Sequence, residues 1–483
     1  MKKRFAICST IVLLLLLSAC GAPQTLDFSY APEGEELSSL MVETSQTHRA
    51  ELEHVPSAAD FDDAISAGLL SESEVESLLR GHAAMETVSK EQAQSDVSLL
   101  FRTLQSAYGA YEYFGQEKFD AAEDAVTQWL SSQDDEIKVS ALGEKLQESL
   151  AFMLAHDAHA MIYEPAAEEI EAQVRYEYFF ADGFYFSKDV NGSYYMVNDG
   201  ERWTSSSFSD EHVSVQPTLL QDGRIVYQPT LFALRKDAVQ SSVTLKNSSG
   251  KAKIYRLDWT ESQPLDVDLG TLDYRLIQED GLTYVSLRSF VSGTYDNMLA
   301  RYAREGAKAR GSKAVIYDLR GNVGGSDSWP RKWIQSFLGT QNSIETSMLY
   351  AQKNSALFAA ENSESLLPED EGTCFAREVH GAWYENDIPI IVLVDDHCGS
   401  ARGGGGEPSS GEGAVQLLKT LDNVLIVGSN TAGYQLCGNI STFTLPYTGI
   451  GVRFGSTLFL YGDGENVDHR GYAPDVWCDP QDA

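Results

Sequence analysis

Basic residues are scarce in this chain. Its 36 Lys and Arg stand against 71 Asp and Glu over 483 residues, a formal net charge of −35. That balance excludes a nucleic-acid binder, because holding phosphates takes clustered cations. Long apolar runs are scarce as well. The conspicuous one, Phe5 to Leu17, is too short to cross a bilayer, which needs about 20 apolar residues. A polytopic membrane protein is excluded. Cysteine is sparse, six in all, and no pair has the C-x-x-C spacing of a zinc or redox site. No repeat with a period of about 20–50 residues is present, which excludes a solenoid. What remains is 43% hydrophobic and 10% aromatic, enough for sizeable cores. The length corresponds to roughly three domains at about 150 residues each.

Met1-Lys2-Lys3-Arg4 is a basic start, followed by the apolar run and then Leu17-Ser18-Ala19-Cys20. This end resembles the lipobox of bacterial lipoproteins, in which small residues admit the signal peptidase and the Cys thiol carries a diacylglycerol. The resemblance implies a signal peptide over residues 1–19, lipidation at Cys20, and an extracytoplasmic protein held to a bacterial membrane through that lipid. Residues 20–55 are polar, contain Pro23 and Pro32, and read as a tether. With Cys8 in the signal and Cys20 lipidated, Cys374, Cys398, Cys437 and Cys478 remain. They allow three pairings, among which sequence does not choose, and buried thiols are an equal alternative.

Beyond the tether the texture changes twice. Val97, Leu99, Leu100, Leu104 and Tyr108, then Leu142, Leu146, Leu150, Met153 and Leu154, follow helical periodicity, which predicts a helical domain over 56–165. Residues 166–274 hold short β-rich runs such as Tyr194–Val197 and Val243–Leu245, with turn signals at Asn191-Gly192 and Asp222-Gly223. They read as a mostly-β module. From 275 to 483 strands and helices alternate: strands at 282–290, 313–319, 388–394 and 423–427, helices at 297–309 and 411–421. This spacing predicts an α/β core with parallel pairing.

One of those strands, Ala314 to Leu319, runs into Arg320-Gly321-Asn322-Val323-Gly324-Gly325. Such a turn presents backbone N–H groups and tolerates close approach of a ligand. Asp318 to Gly325 resembles the D-L-R-x-N-x-G-G signature of the C-terminal processing (tail-specific) protease family, which includes the tricorn core. Tyr284–Phe290, Ile390–Asp395, Val427–Gly433 and the closing Gly471-Tyr472-Ala473-Pro474-Asp475 resemble further family landmarks in the same order. The resemblance implies a crotonase-like catalytic core, a serine peptidase acting on polypeptides without a cofactor or metal, and a place at 166–274 where relatives carry a PDZ domain. No glycine-rich carboxylate loop marks that segment, so a degenerate PDZ-like domain and another β module stay open. The oligomeric state is unknown.

In that family the nucleophilic Ser precedes a Glu by three residues at the start of a helix. Ser409, three before Glu412, fits. Counting from the strand end at Asp395 points instead to Ser400, the alternative nucleophile, and residues 401–408 read as an insertion between the two. The dyad Lys of tail-specific proteases is replaced by Tyr434, whose phenol is a poor base near neutrality. The tricorn-like branch implies His159 of Asp157-Ala158-His159 as base and Asp468, three before Gly471, as the acid that orients it. The implied oxyanion donors are the N–H groups of Gly324, Gly325 and Ser410. Asp318 and Arg320 read as scaffold charges. The rival reading is a catalytically inactive peptide-binding lipoprotein that keeps the fold.

Overall fold

In the computed structural model, residues 35–59, 61, 70–163, 175–180, 186–188, 194–198, 201–204, 213–219, 225–232, 242–261, 274–293, 296–361, 372–399, 410–462, 464 and 466–478 are described. Cys20, Ser400, Ser409 and the signal-peptide and lipid-anchor expectations lie outside them. The chain divides into two compact units, one built mainly of residues 37–172 with 265–476, the other of 173–264.

The larger unit begins with helix α1 (Glu35–Leu52), which the polar composition disguises as tether. Its inward face is polar but satisfied: Ser45 Oγ accepts from the Asn423 N–H at 2.9 Å, and His48 Nε2 lies 3.0 Å from Asp475. With Met41 and His48 each nearly inaccessible, this segment is a docked part of the core, so residues 35–52 are not tether. Helices α2 (Lys90–Ala107), α3 (Gln116–Ser131) and α4 (Val139–Ser149) follow. Ser89 starts α2 with a reciprocal capping box to Gln92, and Val97, Leu100 and Leu104 form its buried stripe. The expected separate helical domain is not separate. Strand β1 (Met161–Tyr163), just past His159, joins a core sheet, and residues 37–172 share one unit with that core.

The core has two sheets. Strands β2 (Arg275–Glu279), β3 (Leu282–Ser286), β4 (Ala314–Asp318), β5 (Ile390–Val394) and β6 (Val424–Gly428) lie side by side in that order, parallel except for the β2–β3 hairpin. Helices α5 (Asp296–Ala309), α6 (Ser328–Leu338) and α7 (Ser410–Leu418) bury Leu299, Tyr302, Trp333, Phe337 and Leu417 against Val315, Tyr317, Val392 and Ile426. Helices α5 and α6 approach closely because of Gly306, where a Cβ would sit 2.3 Å from the Trp333 carbonyl. In the second sheet the order is Cys374–Val379, Met348–Lys353, Gly451–Tyr461, Cys437–Thr444, with β1 paired to Gly451–Arg453. The α/β class expected from the alternating pattern is the class observed, and the parallel strands fall within a few residues of their expected places.

The smaller unit is an eight-stranded, wholly antiparallel sheet between Arg175 and Glu261. The Arg202 guanidinium lies 3.7 Å from the centre of the Tyr195 ring, and Lys253 sits 4.8 Å over buried Trp203. The mostly-β texture is as expected, and this arrangement lends no support to the PDZ-like alternative. No disulfide joins Cys374, Cys398, Cys437 and Cys478. Among the described residues no helix is long and apolar enough to cross a membrane.

Candidate active site

Asp318 ends β4 with its carboxylate sealed from water. The Arg320 side chain reaches both its oxygens at 3.0 Å, the Tyr284 hydroxyl donates at 2.7 Å, and Arg288 stands 3.4 Å away. Burial alone would raise this acid, but Arg320, Tyr284 and Arg288 outweigh it and hold the carboxyl down at about 2. The turn that follows is shaped by Asn322, itself fully buried. Its Oδ1 accepts the Gly324 N–H at 2.9 Å and its Nδ2 donates to the Leu287 carbonyl at 2.7 Å. Gly325, at φ +133°, presses its backbone onto Phe290, where a Cβ would fall 2.1 Å from a carbonyl carbon. Of the expected oxyanion donors, then, the Gly324 N–H is committed inside the turn. The neighbouring carbonyl of Gly325 receives the Ser410 hydroxyl at 2.6 Å.

Ser410 opens α7. Nearby, the Gly399 N–H donates to the Asn322 carbonyl at 2.7 Å, and a Cβ on Gly411 would lie 2.7 Å from that same Gly399 nitrogen. Gly399 and Gly411, which flank the expected insertion at 401–408, therefore lie together beside the turn. In sequence Ser400 directly follows Gly399 and Ser409 directly precedes Ser410.

In the first turn of α7, Glu412 is completely buried and accepts the Gly433 and Tyr434 N–H groups at 2.8 Å each, as well as the Thr431 hydroxyl. This fixes the turn 431–434. The Tyr434 ring then packs edge-on to the His159 imidazole, centroids 5.6 Å apart. The residue found at the dyad-lysine position and the histidine expected to replace that lysine are thus neighbours.

His159 is buried, as are Asp157 and Asp468, and the ligand atoms of the three lie within 4.8 Å of one another. Asp468 accepts from Gln435 N–H at 2.6 Å, Leu436 N–H at 2.8 Å and Ala158 N–H at 2.9 Å. Asp157 accepts the His159 N–H at 2.8 Å and the Tyr108 hydroxyl at 2.8 Å. Burial, together with the charge of Asp157, pushes Asp468 well above the usual carboxylate range. Burial raises Asp157 as well, against its hydrogen bonds. The Asp468 turn is locked by His469 at φ +61°, whose N–H donates to the Gly433 carbonyl at 2.9 Å.

Among the described residues, His/Asp donors converge at one further place, Asp395, Asp396 and His397. There Asp395 accepts the Gly321 N–H and His397 lies 2.8 Å from Asp396, an ion pair rather than an open ligand set. At the first cluster the carboxylate oxygens are likewise taken by main-chain N–H groups and a hydroxyl. What sequence reasoning missed is the share of Asp157 and Tyr108 in the histidine pocket. The Asp157-Ala158-His159 triplet carried the signal for Asp157. Nothing local pointed to Tyr108, 49 residues before it.

Residues 281–477 match the family model for peptidase family S41. No curated protein matches the chain. Among solved structures it is similar to mature CPAF (14% identity, TM-score 0.41, 81% of this chain and 94% of that one). It is also similar to the photosystem II D1 C-terminal processing protease (15%, 0.38, 80% and 94%) and to a lipoprotein from Streptococcus agalactiae (13%, 0.32, 81% and 92%). The match of residues 281–477 to peptidase family S41 marks the chain as a serine peptidase.

Proposed function

We propose that this peptidase is a lipid-anchored, extracytoplasmic endopeptidase in which Ser409 attacks the scissile carbonyl and His159 takes its proton. His159 then returns the proton to the leaving amine, water releases the acyl-enzyme by the same route, and Asp468 orients the imidazole. The oxyanion is met by the main-chain N–H groups of Gly325 and Ser410; Gly324 is left out because Asn322 already takes its N–H. Two features favour Ser409 over Ser400: in sequence it directly precedes α7, whose N-terminal end stabilises developing negative charge, and it keeps the family's three-residue spacing to buried Glu412. The substrates are polypeptides.

The observation that carries this reading is the unbroken contact chain from α7 to the base. Ser410 touches Gly325, Glu412 fixes Tyr434, and Tyr434 packs on His159 beside Asp468. A fluorophosphonate probe tests it. Labelling of the wild type that persists in Ser400→Ala and vanishes in Ser409→Ala supports the assignment; the reverse pattern moves the nucleophile to Ser400. The anchor rests on Leu17-Ser18-Ala19-Cys20. Cys20→Ser is expected to abolish lipid incorporation, and an unmodified Cys20 in the mature protein would refute anchoring.

A further inference from the structure

We propose that Asp157 is a positioning residue of this site: it shares one proton with Asp468, and the pair holds His159 as a unit of single negative charge. The inference rests on His159 being the base. Both aspartates are buried, with ligand atoms inside the 4.8 Å cluster, and two full charges at that range in a largely dry pocket are costly. Facing the pair are Tyr108 and Tyr113 from the helical segment, His159 itself, Glu412 from α7 and Cys437 from the second sheet. Of these only His159 can become a cation. Before His159 takes a proton, nothing in that set offsets a second negative charge.

Hydrogen bonding says which acid keeps the proton. Both oxygens of Asp468 accept from main-chain N–H groups, which cannot reverse, so the single negative charge of the pair is better held at Asp468 than at Asp157. Oδ2 of Asp157 meets the Tyr108 hydroxyl, which can donate to a carboxylate or accept from a carboxylic acid. Oδ1 stays on the His159 N–H in either state and fixes the backbone that aims the imidazole. Once His159 is protonated, a single carboxylate faces it, as a proton-accepting base requires. Burial raises both acids, consistent with one retained proton.

The test uses the intact protein and compares Asp157→Asn, whose amide can donate to Tyr108 Oη, with Asp157→Ala. Unfolded carboxyls ionise near about 4, whereas the folded pair keeps a proton to higher pH. The folded state therefore binds the extra proton, and stability falls as pH rises above the ordinary carboxylate range. The melting temperature of the wild type is expected to drop as pH rises above the ordinary carboxylate range, and that of Asp157→Asn to drop less. Parallel profiles would overturn the shared proton. In probe labelling, Asp157→Asn is expected within about tenfold of wild type and Asp157→Ala slower by about a hundredfold. Equal damage from both would mean Asp157 serves as an anion, which also overturns the proposal. A wild type that does not label would strike the assignment of Ser409 and His159, and the melting profiles would still decide the proton.

Discussion

Asp318 and Asp468 are both buried in the same compact unit, and they are held in opposite ways. Around Asp318 the chain supplies two guanidiniums and a phenol, so the carboxyl is pulled down to about 2 and stays ionised. Around Asp468 it supplies main-chain N–H groups and a second aspartate, so the acid is pushed up. Similar burial thus gives two different tools. A fully compensated charge is inert and suits a scaffold: Asp318 braces the start of the glycine turn. An under-compensated one is ready to respond when a neighbour gains charge, which is what an acid beside a catalytic histidine has to do. The same logic places Asp395, Asp396 and His397 with the scaffold charges, since there the carboxylates raise the histidine to about 9 and all three are satisfied.

Four experiments press on that contrast. Replacing His159 with Ala is expected to cost about ten-thousandfold in probe labelling. Asp468→Asn comes next, at about a thousandfold, because an amide NH2 would face the main-chain donors and no anion would orient the imidazole. Asp318→Asn is expected to do the opposite of Asp468→Asn: it leaves two guanidiniums beside a neutral group and costs about 3 kcal/mol of stability in urea unfolding. Because the folded Asp318 acid is depressed, its stabilisation is present above about pH 4 and is lost as pH falls towards about 2. Asp318→Asn should flatten that acid limb. If Asp318→Asn lowers labelling as much as Asp468→Asn at equal stability, the division into scaffold and responsive acids fails. The smallest effect belongs to His397→Gln. The raised histidine contributes stability below about pH 6.5 that is lost as pH climbs through about 9, and, being part-exposed, it is worth about 1 kcal/mol in melting profiles.

Much of the catalytic core could be read in the sequence, and the reason is local. Ala314–Tyr317, Ile390–Val394 and Val424–Val427 are continuous apolar runs bounded by turn residues, the mark of parallel strands covered on both faces. The glycine turn was legible because its conformation demands glycine at fixed places. Helix α1 was not. It meets the core through Thr44, Ser45 and His48 as well as Met41, so the usual apolar stripe is missing and only tertiary partners reveal the burial. The second sheet was also missed. The Cys437–Thr444 and Gly451–Tyr461 strands carry Gly438, Gly451 and Gly455, and Gly455 lets its strand pass Cys437 at close range, which blurs the β pattern. In the site, His159 and Asp468 were named from short motifs, whereas the partnership of Asp157 with Asp468 joins positions 311 residues apart in the chain and follows only from the fold.

The central claim, that Ser409 is the nucleophile and His159 its base, is most directly tested by mapping the fluorophosphonate adduct by mass spectrometry. The wild type is expected to carry it on Ser409 alone, and His159→Ala to carry none above background. An adduct on Ser400, or equal modification of Ser409 in His159→Ala, would contradict it.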